Sequence, residues 1–183
     1  GELPPSQGTT GINDQIQMGK ISQLIQSDAI AFRVKFTDND KPAPSELYWR
    51  GPVLWKTNGT VWSPIAEKNI DSSKPNIQVS GDAYNYQMTL EPHNKKWLFA
   101  LDFPTQLPTS LSTDIKTDGQ LNSTKAIKQR IQYSLISSTS YTFNASSDPN
   151  LHAALQLPEN KHTKTRALAH EWQQQSATPQ QYI

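Results

Sequence analysis

The fold is predicted most directly by residues 48–62, which read YWRGPVLWKTNGTVW. Asn58-Gly59 is the strongest short hairpin signal in the chain, because both residues tolerate the positive φ angles of a type I′ turn. Residues 46–57 are predicted to form the strand before this turn, and residues 60–62 to begin the returning strand. Pro52 cannot donate a hydrogen bond to a neighbouring strand, so we expect an edge position or a bulge there, with Gly51 permitting the bend.

Alternation of apolar and polar residues predicts further strands on both sides of this hairpin. Large apolar side chains fall at every second position in two segments, 29–36 and 84–91. They are Ile30, Phe32, Val34 and Phe36 in the first and Tyr84, Tyr86, Met88 and Leu90 in the second. Shorter strands are expected over residues 76–80 and 97–102.

The C-terminal half of the chain gives a more mixed pattern. Residues 130–145 are predicted to be extended, with the Ser-rich centre 137–140 forming a bulge or a bend between two sheets. The segment 104–124 is predicted to be a loop that holds one strand at most. Residues 163–175 contain no Gly or Pro and predict a helix with Ala167, Leu168 and Trp172 on one face, and residues 151–157 predict a helical turn.

These elements predict a mainly β protein, an antiparallel β-sandwich or distorted barrel with short terminal helices. We expect an N-terminal arm or linker over residues 1–27, a β-domain over 28–146 and a helical segment over 147–183.

Composition excludes several classes of function. The 183 residues carry 17 basic and 16 acidic side chains, a net charge of +1, so no electrostatic surface for nucleic acid is predicted. The absence of cysteine excludes disulfides, thiolate metal sites and a cysteine nucleophile within the chain. The longest apolar run, 97–101, is too short to span a bilayer, and residues 1–5 lack the features of a signal peptide. A polar composition with few charges and 13 prolines is typical of a β protein outside the cytoplasm.

The tryptophans allow two interpretations. Trp49, Trp55, Trp62 and Trp97 could form a stacking platform for sugars, which would make the chain a cell-wall or carbohydrate-binding module. Their spacing favours the other interpretation, in which they pack in the core and across the hairpin. The carbohydrate-binding alternative requires at least two aromatic faces exposed in one groove.

No catalytic, cofactor-binding or metal-binding site is predicted. His162 and His170 lie about two helical turns apart, too far to share one metal, and His93 and His152 lie elsewhere. Asp114 and Asp118-Gly119 lack the ligand spacing of a calcium loop. No Gly-x-Ser-x-Gly elbow and no glycine-rich phosphate loop occurs, so an independent hydrolase is the least favoured function. Asn58, Asn122 and Asn144 match the glycosylation acceptor pattern, which matters only in a eukaryotic secretory pathway.

Several segments of the chain carry a family resemblance: residues 10–14, 19–24 and 27–34, the YWRG of 48–51 with Asn58-Gly59 and Trp62, residues 86–92 with 97–102, and the Leu-Gln-Leu-Pro of 155–158 followed by Arg166, Leu168, Ala169 and Trp172. Taken in this order, they resemble bacterial membrane-anchored transglutaminase-like proteins of the TgpA type. Three positions depart from the family pattern: Asn58 replaces the usual Asp, Lys20 an acidic residue, and Lys161-His162-Thr163 an Asn-Pro-Arg.

The resemblance implies a non-catalytic extracytoplasmic accessory domain between membrane helices and a papain-like transglutaminase core. The Cys, His and Asp of that core would lie downstream, so no residue of this chain inherits a catalytic role. The implied location is the periplasmic face of the inner membrane, with the anchor outside this chain. The implied partners are the protein's own transglutaminase-like domain and membrane helices, with contact to cell wall or a protein substrate left open. Neither a cofactor nor a nucleic acid is implied.

Overall fold

The computed structural model describes residues 15–17, 29–37, 40–64, 77–143 and 154–181. Within these ranges the chain consists of short antiparallel strands and one α-helix, which confirms the predicted mainly β class. The strands are β1 Ile16–Gln17, β2 Phe32–Phe36, β3 Trp49–Arg50, β4 Lys56–Thr57, β5 Val61–Ser63, β6 Ile77–Val79, β7 Ala83–Leu90, β8 Trp97–Leu98, β9 Ala100–Leu101, β10 Phe103–Gln106, β11 Thr113–Ile115, β12 Leu121–Ser123, β13 Ile131–Ser138 and β14 Tyr141–Phe143. The helix α1 is Thr163–Gln175, and short 3-10 helices cover Pro44–Glu46 and Pro179–Gln181.

The largest sheet has the order β10-β13-β7-β2 and is antiparallel throughout. β7 and β13 pair along their whole length, from Ile131 opposite Leu90 to Ser138 opposite Ala83. Its inward side chains are almost completely buried: Tyr86, Met88, Leu90, Tyr133 and Leu135. The predicted alternation is therefore confirmed, because residues two apart on a strand share one face of the sheet.

The remaining described strands form four smaller sheets around the same core. Their orders are β1-β5-β4, β11-β12-β8, β14-β6 and β3-β9. The apolar run Trp97–Leu101 is buried along its whole length and supplies β8 and β9. This run joins two of the small sheets through the middle of the core.

The strand predicted over residues 46–57 is divided in two. Glu46 belongs to a 3-10 helix, β3 pairs with β9, and β4 pairs with β5 in a different sheet. The interruption falls at Gly51-Pro52, where proline removes a donor. Gly51 packs directly on Phe99, and a Cβ at this position would lie 2.8 Å from Phe99 Cε1.

The predicted β4–β5 hairpin is confirmed, but its turn is not of type I′. Gly59 has a φ of 95°, whereas Asn58 has no positive φ. Asn58 acts instead through its side chain, whose Oδ1 accepts hydrogen bonds from the backbone N–H groups of Thr60 (3.0 Å) and Val61 (2.8 Å). This is the local side-chain capping for which Asn is favoured in turns.

The segment 104–124 holds more structure than the single strand predicted. It contains most of β10 and the β11–β12 hairpin, which turns at Asp118-Gly119 with a φ of 81° at the glycine. β12 is buried at all three positions, including the polar Asn122 and Ser123. A strand that is buried on both faces and partly polar shows no alternation, so its pattern was missed.

The Ser-rich centre of residues 130–145 forms the predicted bend between two sheets. β13 ends at Ser138, and β14 begins at Tyr141 and pairs with β6. Ser138 Oγ lies 3.1 Å from the carbonyl oxygens of Ser80 and Ser140 and accepts the Ser140 N–H. One buried hydroxyl thus fixes the direction change.

Helix α1 has the predicted bounds, despite the departure from the family pattern at residues 161–163. It begins after His162, which has a left-handed φ of 55°, and none of its residues is buried. The helical turn predicted over 151–157 falls partly, and the arm over 1–27 almost entirely, outside the described residues. In the described part of the chain, no helix is long and apolar enough to cross a membrane.

Candidate functional site

Three polar side chains from distant parts of the chain meet beside the YWRG segment. Arg50 donates through Nε to the carbonyl oxygen of Asp102 (3.0 Å) and through Nη2 to Asp102 Oδ1 (3.3 Å). Arg50 Nη2 also donates to the Tyr141 hydroxyl (2.7 Å), which in turn donates to Asp102 Oδ1 (2.8 Å). The Arg50 and Asp102 side chains are only 18% and 16% exposed, so the ion pair is screened less than a surface pair.

Aromatic rings and a strained backbone surround this cluster. The Arg50 guanidinium lies 5.4 Å from the centre of the Tyr48 ring, and the Phe103 and Tyr141 rings are 5.7 Å apart. Asp102 has a φ of 42°, and its N–H donates to the Tyr48 carbonyl oxygen at 2.7 Å. Asp is among the residues that tolerate this left-handed conformation.

The cluster holds sheets together rather than presenting reactive groups. Burial, followed by the hydrogen bond to Asp102, raises the pKa of Tyr141, so the phenol stays neutral. Arg50 lies in β3, Asp102 follows β9 and Tyr141 begins β14, so three strands are tied by one set of hydrogen bonds. The Tyr141 hydroxyl donates to the Asp102 carboxylate, but that carboxylate is paired with Arg50 and serves as a structural acceptor rather than as a free base.

A cleft of about 330 Å³ lies between residues 52–55, which lead into the β4–β5 hairpin, and the β11–β12 hairpin. Its polar groups largely bind one another: Trp55 Nε1 donates to Asp118 Oδ2 (2.7 Å), and Gln120 Nε2 donates to Asn122 Oδ1 (2.9 Å). Its lining contains no hydroxyl, thiol or imidazole that could serve as the nucleophile or base of a hydrolase.

A second cleft, of about 210 Å³, lies at the large sheet and is lined by uncharged residues that include Tyr86 and Ser134. Burial raises the pKa of Tyr86 to about 12, which keeps this phenol protonated and unable to act as a base near neutral pH. The two described clefts therefore give no support to the hydrolase alternative.

The tryptophans serve mainly as packing residues. Trp49 packs edge-to-face on Phe32 and Tyr86 with ring centroids 5.6 and 5.8 Å apart, and Trp97 is 5% exposed. Trp62 is 39% exposed, in β5. Among the described residues the aromatic side chains that border the larger cleft are Trp55 and the buried Trp97, so this cleft does not present two exposed aromatic faces.

The histidines do not converge. His93 stacks on Trp97 with centroids 3.9 Å apart, and its burial lowers its pKa. His162 and His170 lie before and within α1, and His152 is outside the described residues. Within the described ranges, no three His, Asp or Glu side chains form a group that could hold a metal ion.

Asp114 and Asp118, considered above as a calcium loop, and two of the Asn residues in glycosylation patterns have structural roles. Asp114 pairs with Lys116 at 2.7 Å, and Asp118 is the acceptor for Trp55. Asn58 caps its own turn, whereas Asn122 is buried in β12, where a glycan has no room. Asn144 lies outside the described residues.

The fold and the cluster of Arg50, Asp102 and Tyr141 define the class of protein. It is an antiparallel β domain of several sheets, without a catalytic constellation in its described part. Residues 1–143 match the TgpA N-terminal domain family, and the chain belongs to that family. The predicted resemblance is thereby confirmed.

The chain is similar to one curated protein and to two solved structures, all from Pseudomonas aeruginosa. The chain is 30% identical over 182 residues to a protein-glutamine gamma-glutamyltransferase of Pseudomonas aeruginosa, covering 99% of this chain and 27% of the relative. It also superposes on two crystal structures of the periplasmic domain of TgpA from Pseudomonas aeruginosa, one of them bound to ethylmercury, with a TM-score of 0.79 and 29% identity in each case. Those matches cover 94% of this chain and 60% and 59% of the solved chains.

The chain thus spans about a quarter of the curated relative and about three fifths of the solved domains. The expected extracytoplasmic location agrees with these neighbours, which are periplasmic domains. The mainly antiparallel β fold is likewise confirmed by them.

Sequence reasoning identified the YWRG segment but missed the partners of Arg50. A signal exists for Asp102, because a carboxylate directly follows the apolar run 97–101 and a buried charge needs an opposite charge. No comparable signal exists for Tyr141, which is 91 positions from Arg50.

Proposed function

We propose that residues 28–146 form a non-catalytic accessory domain of a transglutaminase-like protein and that residues 147–183 lead into its catalytic domain. The proposal is supported by membership of the TgpA N-terminal domain family and by the transglutaminase relative, of which this chain spans 27%. Because this chain has no cysteine, the thiolate needed for acyl transfer must come from elsewhere in the protein.

The observation that carries the proposal is the exposed apolar face of α1. Leu168 and Trp172 lie four residues apart, on one side of the helix, and are 44% and 48% exposed. Leu155 and Leu157, just before the helix, are 77% and 57% exposed. An amphipathic helix gains most of its stability by burying such a face against another element. We assign that face to the transglutaminase-like domain, which the β-domain would hold in position.

The proposed location is the periplasmic face of the inner membrane, with the membrane helices outside this chain. The β-domain would then lie between the bilayer and the catalytic domain. The proposed partners of the β-domain are the membrane helices and the catalytic domain of the same protein. No cofactor is assigned to the β-domain.

The gene provides the first test. The reading frame beyond codon 183 should encode a papain-like core with Cys, His and Asp in that order, and hydrophobic segments should be encoded before codon 1. Absence of the downstream Cys, His and Asp would reject the proposal.

A second test changes the helix face in the complete gene product. The double variant Leu168→Asp/Trp172→Asp should lower transglutaminase turnover by about tenfold, because losing a Trp anchor from an interface costs on the order of 1–2 kcal/mol and about 1.4 kcal/mol corresponds to tenfold. His170→Asp is the matched control, since it adds a charge to the opposite side of the same helix and should leave turnover unchanged. Equal turnover in all three proteins would show that this face does not contact the catalytic domain.

A further inference from the structure

The β4–β5 hairpin touches the segment that leads into α1. His162 Nε2 lies 2.8 Å from the carbonyl oxygen of Gly59, across 103 positions of sequence. A carbonyl oxygen only accepts hydrogen bonds, so Nε2 carries the proton and donates it. The ring can do so as the Nε2–H tautomer or as the imidazolium.

The close approach of the two segments favours a glycine. A Cβ on Gly59 would lie 3.1 Å from Lys161 Cγ and 3.2 Å from His162 Nε2, and the φ of 95° already disfavours any other residue. Asn58 therefore stabilises the turn, and Gly59 allows the close contact with residues 161 and 162.

Both sides of the contact are internally fixed. The turn is held by Asn58 Oδ1, which accepts the N–H of Val61 at 2.8 Å. On the other side, Arg166 Nη2 reaches back to the Pro158 carbonyl oxygen at 2.9 Å, and the Arg166 N–H donates to the His162 carbonyl oxygen at 2.9 Å. His162 itself has a left-handed φ of 55°. A hydrogen bond between two such segments favours one direction of the helix as well as one distance.

We infer that the Asn58-Gly59 turn is the docking point for the start of α1 and that His162 is the positioning residue that sets the direction of the helix relative to the β-domain. Within the described ranges the helix buries no residue of its own, so this contact at its start would determine where Leu168 and Trp172 point. The inference concerns residues within this chain alone and does not depend on what the apolar face of α1 contacts.

The absence of cysteine allows a clean distance measurement on the chain itself. Lys128→Cys on the β-domain and Gln174→Cys on α1 introduce two exposed sites for nitroxide labels, whose separation is read by double electron–electron resonance. We expect one narrow distance distribution in this labelled protein. In addition, His162→Asn should broaden it, because Asn tolerates the left-handed φ but its amide is too short to reach Gly59.

The ratio of docked to undocked helix should fall by about fivefold in His162→Asn, which corresponds to about 1 kcal/mol, the net worth of one hydrogen bond. His162→Gln, whose longer amide restores a donor, should recover part of the narrow distribution. His170→Ala, which removes the exposed histidine within α1, should leave the distribution unchanged. The far-UV circular dichroism of all variants should match, since neither the hairpin nor the helix is lost.

Two results would overturn the inference. One is a broad distribution in the labelled protein with His162 intact, and the other is an equally narrow distribution in His162→Asn and in the His170→Ala control. Neither result would touch the proposal of an accessory domain, which rests on the gene and on turnover of the complete protein.

Discussion

At the scale of single residues, most of the polar side chains that organise this domain act through distant partners. Arg50, Asp102 and Tyr141 close one hydrogen-bonded cluster, and Tyr86 forms another at the centre of the core. The Tyr86 hydroxyl accepts the Leu101 N–H at 2.7 Å and lies 2.8 Å from Ser137 Oγ. Such groups stabilise the fold only while every partner is present, because an unpaired buried group costs more than one hydrogen bond gains.

Removing Arg50 should therefore destabilise the domain strongly. Arg50→Ala is expected to lower the free energy of unfolding by about 2–4 kcal/mol, since it leaves the Asp102 carboxylate partly buried without its cation. Urea unfolding followed by tryptophan fluorescence measures this difference.

Two further variants separate charge from geometry at this cluster. Asp102→Asn keeps a residue that tolerates the φ of 42° and should cost less than Arg50→Ala. Arg33→Ala is the control, because the Arg33–Glu91 pair is exposed on the Arg33 side and should be worth about 1 kcal/mol or less. Equal losses for Arg50→Ala and Arg33→Ala would contradict the role given to the cluster.

Tyr86 should make stability depend on alkaline pH. Its pKa is raised from 10.0 to about 12, mainly by burial, so the folded protein holds the phenolic proton more tightly than the unfolded chain does. The stabilising contribution is complete below pH 10 and is lost as pH rises to about 12, by about 3 kcal/mol for a shift of two pKa units. Burial also raises the pKa of Tyr133 well above its ordinary value of 10.0.

The measurement is the free energy of unfolding across that pH range in the original protein and in Tyr86→Phe. The free energy of unfolding of Tyr86→Phe should be about 1–3 kcal/mol lower at neutral pH, because the Leu101 N–H is left without its acceptor. Its further decrease above pH 10 should be smaller than that of the original protein. Tyr48→Phe, at a ring that is 58% exposed, should change neither value. A decline above pH 10 as steep in Tyr86→Phe as in the original protein would refute the assignment.

At the scale of elements, the long strands follow from sequence pattern and the short ones from tertiary contacts. β7 and β13 were predictable because eight residues each alternate between core and surface. β3 and β4 could not be assigned to different sheets from the sequence, since Trp49 in β3 and Trp55 just before β4 have the same parity. β11 and β12 are three residues each, too short for a periodic signal.

Gly51 marks the point at which the two elements separate, and its replacement should be costly. Gly51→Ala places a Cβ 2.8 Å from Phe99 Cε1 and should destabilise by about 1–3 kcal/mol through overpacking. Combining it with Phe99→Leu should give a loss smaller than the sum of the two single losses, because the shorter side chain relieves the clash. Thermal unfolding of the four proteins in this double-mutant cycle gives the coupling, and strictly additive losses would show that Phe99 is not the obstacle.

At the scale of the whole molecule, the side chains of α1 should contribute little to the stability of the β core. The core buries a continuous cluster from Tyr86 to Leu135, whereas no residue of α1 is buried. The hydrogen-bonded clusters around Arg50 and Tyr86 both lie in the β-domain. Stability of the isolated chain should therefore be a property of the β-domain.

Truncating the apolar face of α1 tests this separation. Leu168→Ala/Trp172→Ala should change the free energy of unfolding of this chain by about 0.5 kcal/mol or less, as is usual for surface positions. Leu98→Ala, at a side chain with 0% exposure, should cost about 2–5 kcal/mol and serves as the reference. A loss in the helix variant approaching that of Leu98→Ala would mean that α1 is part of the core.

The sequence alone determined the β class, the hairpin at Asn58-Gly59, the bounds of α1 and the family, because these depend on local periodicity, turn chemistry and ordered motifs. Only the tertiary structure decided that Arg50 meets Asp102 and Tyr141, that one predicted strand divides between two sheets and that Gly59 receives His162. These pairings join positions about 50 to 100 residues apart. No local pattern encodes them, since the geometry that brings such positions together comes from packing the whole core.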